Sequence, residues 1–179
     1  MMIVQTYSKE YNNIIIHIAN RCFGNSFITE DSLEAFTKSD CQSFIIKSKD
    51  EIIGFCLLKI ESRNSIQPEF KPYIPNKHKI GIIQTIAVLP EYQQQGFGSF
   101  LLKHCLNHLL HQKCDDILYP AWIENNKDYF LNKLKSIGFA PIKTFHHFWK
   151  RDSLKENYSC IKCGEPPCSC SLKLYKLIQ

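Results

Sequence analysis

Hydrophobic and polar positions alternate along this chain in short blocks whose period switches between two and about 3.6, which predicts strands and helices in close succession. Ile3 to Tyr7 reads as a first strand, and Ser8 is placed to cap the helix after it. There Tyr11, Ile14, Ile15, Ile18 and Cys22 recur at i, i+3, i+4 spacing until Gly24 stops the pattern. Thr29, Glu30, Asp31 and Glu34 open a second short helix whose Leu33 and Phe36 face inward. Phe44 to Lys47 and Ile52 to Ile60 predict an antiparallel hairpin across the polar turn Ser48-Lys49-Asp50-Glu51. Gly54 marks a bulge or a close backbone contact in its second strand. From Ser62 to Lys79 no period holds. Pro68, Pro72 and Pro75 interleave with Phe70 and Tyr73, a length that suits a flap over a site or a plain surface loop.

The β-branched run Ile80, Ile82, Ile83, Ile86 and Val88 predicts a buried strand closed by Pro90. A glycine-rich turn follows, EYQQQGFGSF, leading into a helix from about Ser99. Gly96 and Gly98 let consecutive N–H groups converge, and the helix adds the positive end of its dipole, so the corner suits a phosphate group. No lysine follows the second glycine, and the spacing is not GxGxxG, which excludes the nucleoside-triphosphate loop and the dinucleotide fingerprint. On that helix Leu102, Leu106 and Leu109 run opposite His104, His108 and His111, so the histidines read as a solvated face beside Lys103 and Asn107 rather than a metal site. Ile117 to Trp122 reads as a fifth strand, and Asn125 to Ile137 as a helix ended by Gly138. Phe145 to Arg151 and Leu172 to Ile178 read as the last two strands.

With 179 residues, 44% of them hydrophobic and 12% aromatic, the chain fits one domain spanning 1–179. No stretch approaches the roughly 20 apolar residues of a membrane span, and the start MMIVQTYSKEY lacks a signal-peptide core, so a cytoplasmic protein without a membrane partner is expected. The net charge of +5 does not call for a polyanion, and nucleic acid is not expected as a partner. Nine cysteines divide into two groups. Cys22, Cys41, Cys56, Cys105 and Cys114 lie scattered in apolar elements, where a thiol behaves as a small hydrophobe. The other four form Cys160-x2-Cys163-x4-Cys168-x-Cys170, which predicts a structural zinc knuckle inserted at 158–171 between the last two strands. Two disulfides or a redox pair are the competing readings, disfavoured in a reducing compartment and by the convergence of four thiols.

The run AVLPEYQQQGFGSFLLKH resembles the central motif of the GNAT N-acetyltransferase superfamily: a strand ending in Ala-Val, a proline turn, and Gln-x-x-Gly-x-Gly into a helix, filled by Gln93, Gly96 and Gly98. SIGFAPI is similar to the family's passage from its last helix into a strand. The resemblance implies a mixed, mostly antiparallel α/β sheet of seven strands flanked by four helices, with the zinc knuckle in the last hairpin. It implies acetyl-CoA as co-substrate and a primary amine as acceptor, either a small molecule or a peptide. Main-chain groups of Ile86, Ala87 and Val88 would hold the pantetheine arm, and Gln93, Gln94, Gln95, Gly96, Phe97, Gly98 and Ser99 the pyrophosphate. Asn126, beside Asn125, would stand at the start of the last helix. Phe27 and Glu30 would be acceptor contacts, or else a core staple and a helix cap.

The proton route departs from the family pattern. Leu134 stands where many members carry a tyrosine, Tyr129 lies about 140° round the helix from that face, and Ile82 and Gln84 stand where some members carry a glutamate. Gln84 can orient a water; His78, Glu124, His146 and His147 are the titratable alternatives, and no catalytic residue is assigned. N-acetyl transfer is the expected function. A non-catalytic acyl-CoA-binding sensor stays open on the same residues. So does an interaction module built on the basic C-terminal end, where 141–179 holds seven basic residues against three acidic.

Overall fold

Along the third strand successive residues go to opposite sides: Phe55 and Leu57 enter one core, Cys56 and Leu58 the other. In the computed structural model, which describes residues 2–37, 41–74, 79–123 and 131–178, this strand is an inner strand of one seven-stranded sheet. The strands are β1 (Met2–Thr6), β2 (Phe44–Ser48), β3 (Glu51–Glu61), β4 (Ile80–Val88), β5 (Asp116–Ile123), β6 (Phe139–Phe145) and β7 (Ser171–Leu177). Their order is β1-β2-β3-β4-β5-β7-β6, and every neighbouring pair is antiparallel except β4 with β5.

Helices cover both faces. On one, α1 (Asn12–Phe23) and α2 (Glu30–Thr37) bury Ile15, Ile18, Leu33 and Phe36 against Ile45, Phe55 and Leu57. Thr29 caps α2 reciprocally with Ser32: the Ser32 N–H donates to Thr29 Oγ1 at 3.3 Å, and the Thr29 N–H to Ser32 Oγ at 3.0 Å. On the other face α3 (Phe97–His111) buries Leu101, Leu102, Cys105, Leu106 and Leu109 against Ile46, Cys56, Leu58 and Ile83. Its start is two residues earlier than the sequence predicts. His104 and His108 do not simply face water, since their rings meet Phe44 edge-on at 4.6 and 5.1 Å, and burial lowers the His108 pKa. They form no metal cluster among the described residues.

Gly54 meets both expectations. The β2–β3 ladder slips beside it, between Ile46 and Lys47, and a β-carbon there would come within 2.6 Å of the Ala87 carbonyl on β4. Residues 62–74 differ from the expected flap. A 3-10 helix, Pro68–Tyr73, buries Phe70, with Ile66 and Ile74 beside it, over Ile80, Ile82, Leu118 and Leu172, so this segment completes a third core.

The C-terminal third needs two further corrections. The sixth strand is Phe139–Phe145, not Phe145 to Arg151. Pro141 fits within it because β6 is the sheet's edge and its ladder slips between Pro141 and Lys143, the setting in which a strand accommodates proline. The aromatic run His146 to Trp149 turns instead, with His147 at φ 53°, into α5 (Lys150–Glu156), an element the sequence pattern did not predict. Of the predicted helix from Asn125, α4 (Leu131–Ser136) is present. Asn125, Asn126 and Tyr129 lie outside the described residues, as do His78 and Glu124.

Candidate active site

The glycine corner begins where β4 ends. Pro90–Tyr92 makes one 3-10 turn, pinned by an Arg21–Glu91 ion pair of 2.6 Å and by Tyr92 Oη donating to Glu51 at 2.6 Å. Gln94 at φ 61° and Gly96 at φ 90° then reverse the chain into α3. The first N–H to donate into the helix is that of Phe100, to the Gly96 carbonyl at 3.0 Å, so the amides of Phe97, Gly98 and Ser99 precede the intrahelical ladder. Gly96 faces open space, and a β-carbon at Gly98 would meet only Val88, at 3.7 Å. The side chains brace this loop from behind. Gln93 donates to the Val88 carbonyl at 2.8 Å, Gln95 to the Glu91 carbonyl at 2.8 Å, and the Phe97 ring is buried against Tyr92. What remains on the open side is main-chain N–H at a helix start, the chemistry that binds phosphate oxygens. The Val88 carbonyl also accepts the Cys22 thiol at 3.4 Å, so both its lone pairs are taken inside the protein.

Beside this corner the sheet opens. Parallel pairing of β4 with β5 covers only Ile80–Ile82 against Asp116–Leu118. The β3–β4 ladder slips between Leu57 and Leu58, which makes Gln84 the extra residue of a bulge. A cavity of about 210 Å³ lies past these points, bordered by Gln84, Thr85 and Ile86 on β4 and by Tyr119, Pro120 and Trp122 on β5. Its other side is aromatic: Phe23, Phe27, Trp149 and Tyr158. The Phe27 ring stands edge-on to Tyr158 at 5.3 Å and to Trp149 at 5.9 Å, the arrangement that ring quadrupoles favour. Two donors there have no hydrogen-bond partner, the Tyr158 hydroxyl and the Trp149 indole N–H. Burial raises the Tyr158 pKa, and the Asp152 carboxylate adds to it by its charge and by its approach to the phenol, so the phenol stays protonated through neutral pH. No carboxylate borders the cavity among the described residues.

Cys160 and Cys168 complete the cavity's border. The four sulfurs of Cys160, Cys163, Cys168 and Cys170 all lie within 4.8 Å of one another. Cys160–Cys170 and Cys163–Cys168 are each 3.8 Å apart and Cys163–Cys170 is 3.4 Å. A disulfide needs about 2.05 Å. A tetrahedron with Zn–S bonds of about 2.3 Å has edges of about 3.8 Å, so the spacing fits a four-thiolate metal site. Burial opposes ionisation of Cys163, but the Ser169 hydroxyl and amide and the neighbouring thiols outweigh it and bring its pKa down to about 6.

The other predicted site residues fall into place unevenly. Phe27 borders the cavity, whereas Glu30 is exposed on α2, where Thr29 is the cap. Leu134 is fully buried in the α3 core. His146 pairs with Ser171 at 3.3 Å, and His147 is exposed. Residues 62–74 contribute nothing to the cavity. Tyr158, Trp149 and Phe23 are the residues that sequence reasoning missed. Trp149 was read as part of a strand, and nothing local in the sequence announces that Tyr158 reaches β4.

The acetyltransferase (GNAT) family model matches residues 12–130. A curated relative, the N-alpha-acetyltransferase of Sulfurisphaera tokodaii, is 22% identical over 118 residues, 65% of this chain and 67% of that protein. Among solved structures, Ard1 from Thermoplasma volcanium superposes with a TM-score of 0.71 at 12% identity, covering 99% of this chain and 98% of that one. The ribosomal-protein-S18-alanine N-acetyltransferase from Escherichia coli gives 0.69 at 15%, covering 99% and 93%. Naa20 from Chaetomium thermophilum, solved with a bisubstrate analogue, gives 0.70 at 15%, covering 98% and 85%. At these identities the structural likeness establishes the fold.

Proposed function

Because the chain belongs to the acetyltransferase (GNAT) family, we propose that it carries an acetyl group from acetyl-CoA to a primary amine, with the cradle at 93–99 and the cavity between β4 and β5 as its two half-sites. The observation that carries this reading is the early end of the β4–β5 ladder, at Ile82 and Leu118, next to a strand that leads through one 3-10 turn and the glycine loop into an open helix N-terminus. The amides of Gly96, Phe97, Gly98 and Ser99 hold the pyrophosphate, with Gln93, Gln94 and Gln95 shaping the loop, and Asn126 is kept as a further coenzyme contact. Ile86 and Ala87, with the amide of Val88, line the pantetheine path and polarise the thioester carbonyl.

In the transfer the amine nitrogen attacks the thioester carbon; a C–N bond forms, the C–S bond breaks, and one amine proton ends on the coenzyme A sulfur. With no carboxylate at the cavity among the described residues, the amine arrives uncharged or gives up its proton to water held by Gln84. A thiolate leaves readily, so this route suffices without the tyrosine that Leu134 replaces. The curated relative and several structural neighbours are named for acetylating protein N-termini, which supports a peptide α-amine as acceptor. An acyl-CoA sensor or a basic interaction module would leave the aromatic cavity without a role.

The cysteine cluster at 158–171 is proposed as a zinc knuckle. Zinc in a closed site of four thiolates acts as a cross-link and not as a Lewis acid. The test of the reading is calorimetry with acetyl-CoA: one site per chain, weakened at least tenfold in Gly98→Ala, supports it, and no heat from folded protein refutes it.

A further inference from the structure

We infer that the four-cysteine centre is a wall of the acceptor site, so that metal occupancy sets the acceptor pocket, and that this pocket takes an amine carried beside a carbonyl on one bulky, uncharged side chain. The inference rests on the acyl-transfer reading for its function, but its geometry stands apart.

Two of the four cysteines, Cys160 and Cys168, border the cavity, and the segment that carries them is tied to every aromatic of the roof. Towards α1, the Ile161 N–H donates to the Phe23 carbonyl at 2.8 Å and the Ser159 N–H to the Asn25 carbonyl at 3.1 Å, while the Asn25 N–H donates to Ser159 Oγ at 3.1 Å. These bonds fix the connection that presents Phe27. Towards α5, the Cys168 N–H donates to the fully buried Ser153 hydroxyl at 2.9 Å, and the Ser153 N–H donates to the Trp149 carbonyl at 2.9 Å. Tyr158 lies two residues before Cys160. Within the segment, regular pairing amounts to one bridge, between Cys160 and Gly164. With so little secondary structure of its own, the stretch depends on its cross-link as well as on these outside bonds, and a shared metal is what the sulfur spacing fits. Among the described residues the cradle at 93–99 makes no hydrogen bond to it. Metal loss therefore loosens Phe27, Trp149 and Tyr158 together and leaves the coenzyme half-site in place.

The pocket's chemistry sets the acceptor. The cavity of about 210 Å³ has room for one large side chain and lies below the roughly 300 Å³ where drug-sized sites begin. Its lining is mostly aromatic, which suits one bulky apolar side chain, while the four-thiolate centre at Cys160 and Cys168 adds negative charge at one edge that suits the amine. Trp149 Nε1 and Tyr158 Oη, closed to solvent on residues that border the cavity, lack a well-formed acceptor, and a small turn of either ring would bring its donor to the carbonyl next to a peptide α-amine. A free arylalkylamine shares the apolar group but lacks the carbonyl.

The chain's two tryptophans, Trp122 and Trp149, both border this cavity, so intrinsic fluorescence reads it directly, independent of turnover. The experiment compares zinc-loaded protein, chelator-stripped protein and Cys163→Ser, which removes a ligand that does not itself border the cavity. The probes are a pentapeptide beginning with Phe, one beginning with Gly, and 2-phenylethylamine, with acetyl-CoA affinity measured in parallel. Expected are near one zinc per chain in the wild type, a tryptophan emission change on stripping that zinc reverses, and at least tenfold weaker Phe-peptide binding without metal. Acetyl-CoA affinity should stay within about twofold, and 2-phenylethylamine should bind more weakly than the Phe-peptide. Should Cys163→Ser not fold, the stripped and reloaded wild type makes the same comparison, and Phe27→Ala, which keeps the metal, must lose the preference for Phe over Gly. Unchanged tryptophan emission and peptide affinity on zinc removal would overturn the wall; 2-phenylethylamine binding as well as the Phe-peptide, or Gly-peptide binding as well as it, would overturn the acceptor class. Failure of acetyl-CoA to bind while the zinc-dependent peptide response persists would refute acyl transfer and leave the wall standing.

Discussion

Gly24 and Ser159 touch backbone to backbone: Gly24 ends α1 at φ 119°, and a β-carbon added there would overlap the Ser159 carbonyl oxygen. This contact, across 135 residues of sequence, is where the cysteine segment seats on the end of the first helix. Gly24→Ala is therefore expected to do more than strain one turn. A left-handed, clashing alanine costs about 1–3 kcal/mol, and relief comes by lifting Ser159 away. The prediction is a lower melting temperature, a tryptophan emission change like that of zinc removal, and weaker acceptor binding. Fluorescence-monitored melting of the variant checks all but the last.

The two glycines of the cradle should separate by mutation. Gly96→Ala places a side chain at φ 90° in open space, so the cost is conformational, about 1–2 kcal/mol of stability. Gly98→Ala is helical and meets only ordinary contact at 3.7 Å, so it should fold as the wild type does yet put a methyl among the phosphate-facing amides. Melting curves paired with acetyl-CoA titrations should show Gly96→Ala losing stability and Gly98→Ala losing affinity.

Leu134→Tyr puts a phenol where the family resemblance implies one, and it should not create a proton donor. Leu134 is fully buried among the residues under α3, where a larger side chain overpacks the core at about 1–3 kcal/mol. A lower unfolding midpoint with no gain in kcat is expected; a rise in kcat would show that α4 faces the chemistry.

Alkaline pH should weaken the fold. Burial pushes the Cys22 thiol up to about 11, and burial, then the neighbouring Cys114 and Cys105, pushes Cys41 up to about 12, against an ordinary value of 9.0. A raised folded-state value means the folded chain holds these protons more tightly. The contribution is complete below pH 9 and is lost as pH rises towards 11 and 12, where both states ionise. The urea midpoint should fall between about pH 8.5 and 10.5, and less steeply in Cys22→Ala.

Much of this was legible in the sequence because local signals agreed with the fold. The run Ile80 to Val88, the proline, and the glycines at 96 and 98 each demand the same strand, turn and helix, and their order carries the family. The cysteine spacing likewise announced the cluster. What was hidden depends on contacts remote in sequence. The aromatic run at 145–149 reads as a strand unless its turn at His147 is seen. The cavity's roof joins Phe23 and Phe27 to Trp149 and Tyr158, a meeting no periodicity records.

The most direct measurement of the central claim is mass spectrometry of a Phe-initiated peptide, a Gly-initiated peptide and 2-phenylethylamine after incubation with the zinc-loaded protein and acetyl-CoA. The account predicts one acetyl group on the amine, fastest on the Phe-initiated peptide, with free coenzyme A released in equal amount. Acetyl-CoA left intact, or hydrolysed with every amine unmodified, would contradict it.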